Sequence, residues 1–336
     1  MRRLTLLAAS LAVVLATATA SASSGLPGAS GTIWVTERSG NTVTAFDAAT
    51  GAVLRTTTVG AAPIGVTSLP GSNRKTYSSD ENANQVSVID EDSGAVIKTI
   101  AMGPRPHHLM LSPNNQYIYV AEFGSNQIGV VDTDLDARVA GYVASTNPAA
   151  RTHAVWINQY GRSLYATNSV ANTISKLDAQ TGVLLWELPI GNNPSEILVT
   201  PDDRTAYVSV RNENKIRIVD LSGDIPAIVG EQVIGTQPDT LQLTNDRKWL
   251  IVGLRGTPAT MALMNTDTLA VRHVALTGTT TGHQWLSANS KYTFIAVETP
   301  GGVAVVDNDA GAQVAFYPYP GGSRPHGVYY EASVLR

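Results

Sequence analysis

The sequence predicts an all-β chain folded as a seven-bladed β-propeller, with four antiparallel strands in each blade. Three observations carry that reading. First, a β-rich run ending in an acidic or amide turn recurs at Phe46-Asp47, Ile89-Asp90, Val131-Asp132, Leu177-Asp178, Val219-Asp220, Met264-Asn265 and Val306-Asp307. Second, successive turns stand 42 to 46 residues apart, the length of four short strands and their connections. Third, only 15% of residues are charged, while Gly, Thr, Ser, Asn and Val are plentiful, as many short strands joined by tight turns require.

The elements follow in order within each unit. After the acidic turn comes an apolar strand such as residues 52–58 or 183–189, then a Gly- or Pro-containing loop. A further strand, a Pro-Asn or Pro-Asp turn and a fourth strand complete the repeat. Asp47, Asp90, Asp132, Asp178, Asp220 and Asp307 read as turn residues, because an aspartate there accepts bonds from its own backbone. The ends of the chain do not each complete a blade. Thr32 opens directly on what is elsewhere the second strand, and residues 325–330 match the innermost one. The ring is therefore expected to close by pairing the C-terminal strand with the N-terminal strands, which removes an exposed edge.

The first residues read as a targeting segment. Arg2 and Arg3 precede an apolar run at residues 4–16, and Ala18-Thr19-Ala20 and Ala20-Ser21-Ala22 offer small-residue cleavage sites. The expected organisation is a signal peptide at residues 1–22, a short linker at 23–31 and one propeller domain at 32–336. The protein is accordingly expected to be secreted, extracellular or periplasmic, and monomeric. The apolar run is shorter than the ~20 residues of a membrane span, and nothing later in the chain would cross a bilayer. A formal net charge of −4 argues against nucleic acid as a partner. The absence of cysteine excludes disulfides, thiolate metal sites and cysteine nucleophiles.

Tyr165-Ala166-Thr167-Asn168 and Trp34-Val35-Thr36-Glu37 resemble the Tyr-Val-Thr-Asn signature of the YVTN propeller repeats, found in surface-layer-like and lactonase-like seven-bladed proteins. The same register places the signature at residues 77–80, 119–122, 207–210, 251–254 and 295–298. The resemblance covers everything after the signal segment and implies the fold. It also implies lactone-type ring opening or cyclisation as one activity among many that propellers host.

Aligning the seven innermost strands gives Pro63-Ile64, Pro106-His107, Thr152-His153, Pro194-Ser195, Pro238-Asp239, Gly282-His283 and Pro325-His326. Four of the six histidines thus share one slot at the top of the channel. The fourth signature position lies at the same face, so the pairs expected are His107 with Glu122, His283 with Glu298, His326 with Glu37 and His153 with Asn168. A carboxylate beside an imidazole fixes its tautomer and raises its basicity, which suits a general base or a metal ligand. Arg105, Arg151 and Arg324 stand two residues before slot histidines and are expected to face the pocket by strand alternation. Arg211 and Arg255 follow the signature in two blades that lack a slot histidine. They are read either as anion clamps or as partners of Glu196 and Asp239. His108 is expected to turn into the blade, and His273 to be structural.

No nucleophile elbow, phosphate-cradling loop, zinc-protease helix or calcium loop is present. The leading expectation is an enzyme for a small anionic or lactone-like substrate. His107, His153, His283 and His326 with Glu37, Glu122 and Glu298 would do the chemistry, and Arg105, Arg151, Arg324, Arg211 and Arg255 would hold the substrate. A second reading is a copper- or zinc-binding or redox propeller, with a divalent metal (copper, zinc or magnesium) on the four slot histidines; a histidine-ringed channel mouth resembles the copper site of nitrous oxide reductase. A third is a non-catalytic secreted scaffold.

Overall fold

The computed structural model describes residues 25–71, 74–320 and 324–333; the expected signal segment at 1–22 lies outside them. Seven four-stranded antiparallel sheets stand around a central channel. Blade 1 is built by closure, Pro325–Ala332 lying innermost against Gly31–Glu37, followed by Thr42–Asp47 and Val53–Thr58. The innermost strands of blades 2 to 7 are Pro63–Leu69, Pro106–Leu111, Thr152–Ile157, Pro194–Val199, Pro238–Leu243 and Thr279–Leu286. Among the described residues the single helical element is one 3₁₀ turn, Arg211–Glu213. Ahead of the first strand, Ala29 is fully buried and Leu26 packs beside it against blade 1.

The hydrophobic cores lie between blades rather than inside them. Tyr119, Ala121, Ile128 and Val130 of blade 3, for example, pack on Val155, Leu164, Ala166 and Leu177 of blade 4. Second strands are sandwiched on both faces and read as continuous apolar or Thr/Ser runs, such as Tyr117–Glu122. Outermost strands are half exposed, as Val96–Ala101 shows. The turn aspartates behave as expected: Asp178 Oδ1 accepts the Thr181 and Gln180 amides at 2.7 and 3.0 Å, and Asp47 Oδ1 that of Thr50 at 2.8 Å.

One turn glycine reaches into the neighbouring blade. Gly182 sits at φ +73°, and a Cβ there would overlap the Tyr142 ring, whose hydroxyl donates to the Ala179 and Gln180 carbonyls at 3.3 and 3.2 Å. Left-handed backbone and a steric clash together set the expected loss for Gly182→Ala at about 2 kcal/mol. A urea midpoint within error of the parent would contradict it.

The register settles which residues are equivalent. Second strands begin opposite the turn residue in every blade: Thr32 with Asp47, Lys75 with Asp90, Tyr117 with Asp132, Ser163 with Asp178, Thr205 with Asp220, Trp249 with Asn265 and Tyr292 with Asp307. The signature starts two residues later, so in blade 7 it is Phe294–Val297, one residue earlier than the sequence alignment had it. The inner strands confirm the shift. Each enters through a left-handed residue: Ala62 (φ 55°), Arg105 (55°), Arg151 (54°), Asn193 (59°), Gln237 (53°), Thr280 (54°) and Arg324 (81°). Counting two onward, the slot holds Ile64, His107, His153, Ser195, Asp239, Gly282 and His326. His283 therefore follows the slot, as His108 does in blade 3.

Candidate functional site

Three sets of equivalent positions build the channel mouth. The slot residues point inward, the left-handed residues two before them stand above, and a third set follows the signature. That third set is Arg38, Glu81, Phe123, Ser169, Arg211, Arg255 and Glu298. Strand alternation explains it: the fourth signature side chain turns into the gap between blades, so the next one turns to the mouth. Arg38, Glu81, Arg105, His107, Phe123, His153, Arg211, Asp239, Arg255 and His326 line a cavity of about 180 Å³ there.

Several expected pairs are corrected by this geometry. Glu37 accepts the Ser39 and Gly40 amides of its own turn and does not meet His326. Glu122 accepts the Gly103 amide at 2.9 Å and pairs with Arg138 at 3.0 Å rather than with His107. Asn168 bonds Thr173 and Ser175, while the His153 Nδ1 meets the Ser195 carbonyl at 2.8 Å. Glu37 and Glu122 are therefore buried carboxylates that cap loop amides, and they do not line the cavity. Glu298 does not serve His283 from the fourth position. It occupies the mouth position, and its Oε1 lies 3.4 Å from the His326 Nδ1 and 2.6 Å from Arg255.

The arginines do reach the mouth, though not for the expected reason. Arg105, Arg151 and Arg324 sit in left-handed turns ahead of the strand, so alternation does not aim them. Arg324 meets Glu298 at 3.4 Å, and Arg105 pairs with Glu81. Arg105 and Arg151 also stand over the Phe123 ring, at 4.8 and 5.8 Å from its centroid. Arg211 and Arg255 both pair with Asp239, which realises half of the alternative reading; Glu196 is not part of it. Three mouth residues were not foreseen. Arg38 and Arg105 share Glu81, and Phe123 faces His107 and His153 at 5.5 and 5.4 Å between centroids. A consistent count from the acidic turn in every blade would have revealed this third set.

His108 does not enter the blade. Every inner strand is bulged here, in blade 3 between Pro106 and Leu109, so two consecutive residues turn toward the axis. The His108 Nε2 lies 3.7 Å from Glu196, and its ring 5.7 Å from that of His283. These three, with Thr240 and Gln284, line a smaller channel cavity of about 20 Å³, below the mouth. His273 is structural as expected, its Nε2 meeting the Ile234 carbonyl at 2.8 Å.

Burial sets the charge states. Desolvation holds the His107 and His283 imidazoles well below their usual range, takes His153 to about 3 and His108 to about 4, and lowers His326. All five are neutral at pH 7. Burial alone would raise the Asp239 carboxyl, but Arg211 and Arg255 hold it well below the carboxylate range. Glu298 is likewise opposed by burial and carried down to about 2 by His326 and Arg255. Glu196 has no such partner, and burial with Asp239 above it pushes its carboxyl well up. At the mouth, six guanidinium groups (Arg38, Arg105, Arg151, Arg211, Arg255, Arg324) thus face three carboxylates (Glu81, Asp239, Glu298). The surplus is positive and suits an anion.

The imidazole rings of His107 and His153 are 4.5 Å apart and those of His283 and His326 4.8 Å, with His107 6.2 Å from His283 and 6.4 Å from His326. Among the described residues, no three His, Asp or Glu side chains are arranged to hold a metal ion.

Fold and mouth together define a seven-bladed propeller with a cationic, imidazole-lined channel entrance. The chain belongs to the YNCE-like beta-propeller family, whose model matches residues 76–328. It is 22% identical over 168 residues to Antigen Lp49 of Leptospira interrogans, a match that spans 44% of this chain and 36% of that protein. Among solved structures it is similar to hydrazine synthase of Kuenenia stuttgartiensis (20% identity, TM-score 0.71, 87% of this chain and 99% of that one). It is also similar to a protein of Bacteroides fragilis titled as a candidate 6-phosphogluconolactonase (18% identity, TM-score 0.72, 90% and 98%). At these identities the structures establish the shared fold. No helix among the described residues is long and apolar enough to cross a membrane.

Proposed function

We propose that this chain is a secreted enzyme that hydrolyses a small anionic, lactone-like substrate at the channel mouth. The observation that carries the proposal is the Glu298–His326 pair set among surplus guanidinium groups. With Nδ1–H directed at Glu298, the His326 Nε2 is left as an acceptor on a ring that lines the cavity. In the reaction His326 takes a proton from water as the water oxygen attacks the substrate carbonyl. Arg255 and Arg38 stabilise the resulting oxyanion. The ring C–O bond then breaks, and the departing alkoxide recovers the proton from His326, giving a hydroxy acid. An anionic substrate beside the imidazole raises its lowered pKa toward the working range. The candidate lactonase of the same fold supports this class of substrate.

For a metal-assisted variant on His107, His153, His283 and His326, no three of the described His, Asp or Glu side chains are arranged to hold an ion. The chemistry is therefore assigned to the carboxylate-oriented imidazole. The test is base uptake in a pH-stat with a panel of phosphorylated and carboxylated lactones. His326→Ala is expected to lower turnover by a factor on the order of 10²–10⁴, and Glu298→Gln by less. Retention of full turnover in His326→Ala would refute the assignment, and anion binding without any turnover would leave a binding scaffold.

A further inference from the structure

The mouth is not uniform around its rim. Six of the seven side chains that follow the signature are charged or polar, and the seventh is Phe123. Phe123 is half-buried, lines the cavity, and takes no part in any of the hydrophobic cores between blades. Core packing therefore does not account for a phenylalanine here. Its ring instead meets the His107 and His153 rings at centroid distances of 5.5 and 5.4 Å. The Arg105 and Arg151 guanidinium carbons lie 4.8 and 5.8 Å from its centroid. Blades 3 and 4 thus line their side of the cavity with π groups tilted 44 to 87° to one another: one phenyl, two imidazoles and two guanidinium groups. Such groups stack on an aromatic ring more favourably than on a saturated one.

Across the cavity the character changes. Blades 5 and 6 present Arg211 and Arg255 on Asp239, and Arg38 approaches from blade 1. The His107 Nδ1 is buried without a partner, on a residue only 8% exposed. The cavity, at about 180 Å³, is smaller than the roughly 300–1,000 Å³ of drug-sized sites. It has room for one ring bearing one acid group.

We infer that the mouth selects aryl or heteroaryl acids, the ring lying along the Phe123–His107–His153 wall and the acid group turned toward Arg211, Arg255 and Arg38. The inference rests on the reading of the mouth as an organic-anion site and narrows its ligand class. It is tested by calorimetric titration of the full chain with benzoate, cyclohexanecarboxylate, acetate and inorganic phosphate. Benzoate is expected to bind about tenfold more tightly than cyclohexanecarboxylate, the size of one aromatic pairing. Phe123→Leu should remove that preference while leaving acetate affinity within about twofold, and Phe123→Trp should restore it. Both variants keep the cores between blades intact, and circular dichroism verifies their folding. Equal affinity for benzoate and cyclohexanecarboxylate, or a preference that survives Phe123→Leu, overturns the ring assignment but leaves the anion site standing. Failure of all four probes to bind at millimolar concentration overturns both.

Discussion

Acidification from pH 7.5 to pH 5 is expected to remove several kcal/mol of folding stability, most of it from five buried imidazoles. His107, His108, His153, His283 and His326 all have folded pKa values depressed by burial below the ordinary histidine value of 6.5. A depressed histidine contributes stability that is fully present above its unfolded pKa. That contribution is lost as pH falls toward the folded value. Each imidazole kept neutral loses about 1.4 kcal/mol per pH unit in this window, hence about 2 kcal/mol between pH 6.5 and 5. Glu196 acts in the opposite sense. Its raised carboxyl pKa gives stability that is present at low pH and lost as pH rises, so it offsets one of the five. Glu298 and Asp239 are depressed carboxyls whose contributions are lost only below about pH 4. The net effect is a loss of several kcal/mol, a large part of the stability of an ordinary domain. Guanidinium midpoints at pH 7.5, 6 and 5 measure it. A midpoint unchanged down to pH 5 would show that the imidazoles are not held neutral, and His153→Asn should flatten the dependence.

Arg255→Ala is expected to cost about 3–5 kcal/mol, because it breaks two buried ion pairs at once. Arg255 bridges Asp239 at 3.5 Å and Glu298 at 2.6 Å, with side-chain exposures of 18, 3 and 7%. Removing it leaves the nearly buried Asp239 with Arg211 as its ion-pair partner, beside the Ser195 hydroxyl. The loss measures that abandoned charge more than the worth of the pair. Adding Asp239→Asn should therefore recover a large part of it. The control is Arg247→Ala, whose partner Asp202 is 45% exposed and whose pair should contribute less than about 1 kcal/mol. Urea denaturation of the three variants at pH 7.5 decides the matter; equal losses in Arg255→Ala and Arg247→Ala would remove the case for a structural charge cluster.

The fold was legible in the sequence because each blade announces itself locally. An aspartate that bonds its own turn, as Asp90 does to the Ser93 amide at 2.7 Å, marks the same point in the repeat wherever it occurs. Closure was legible for the same reason: Pro325–Ala332 carries an inner-strand pattern with no blade of its own. The site was legible only in part. His107, His153 and His326 fell at the expected slot, and the five named arginines reach the mouth. The pairings failed, because facing the top of a propeller and facing its channel are different things. Glu37 and Glu122 end strands at the top, yet alternation turns them between blades, where they satisfy loop amides.

The repeat length, the acidic turns and the incomplete blade at each end belong to the chain's local chemistry, and they determine a closed ring of seven blades. Tertiary structure decided which side chains share the mouth. Bulges in the inner strands turn His108 and His283 to the axis, contrary to plain alternation. A one-residue offset in blade 7 moves Glu298 from the gap between blades to the rim, where it meets His326 of the innermost strand of blade 1. Neither effect is local in sequence. Both depend on register between strands, and a shift of one residue sends a side chain to the opposite face.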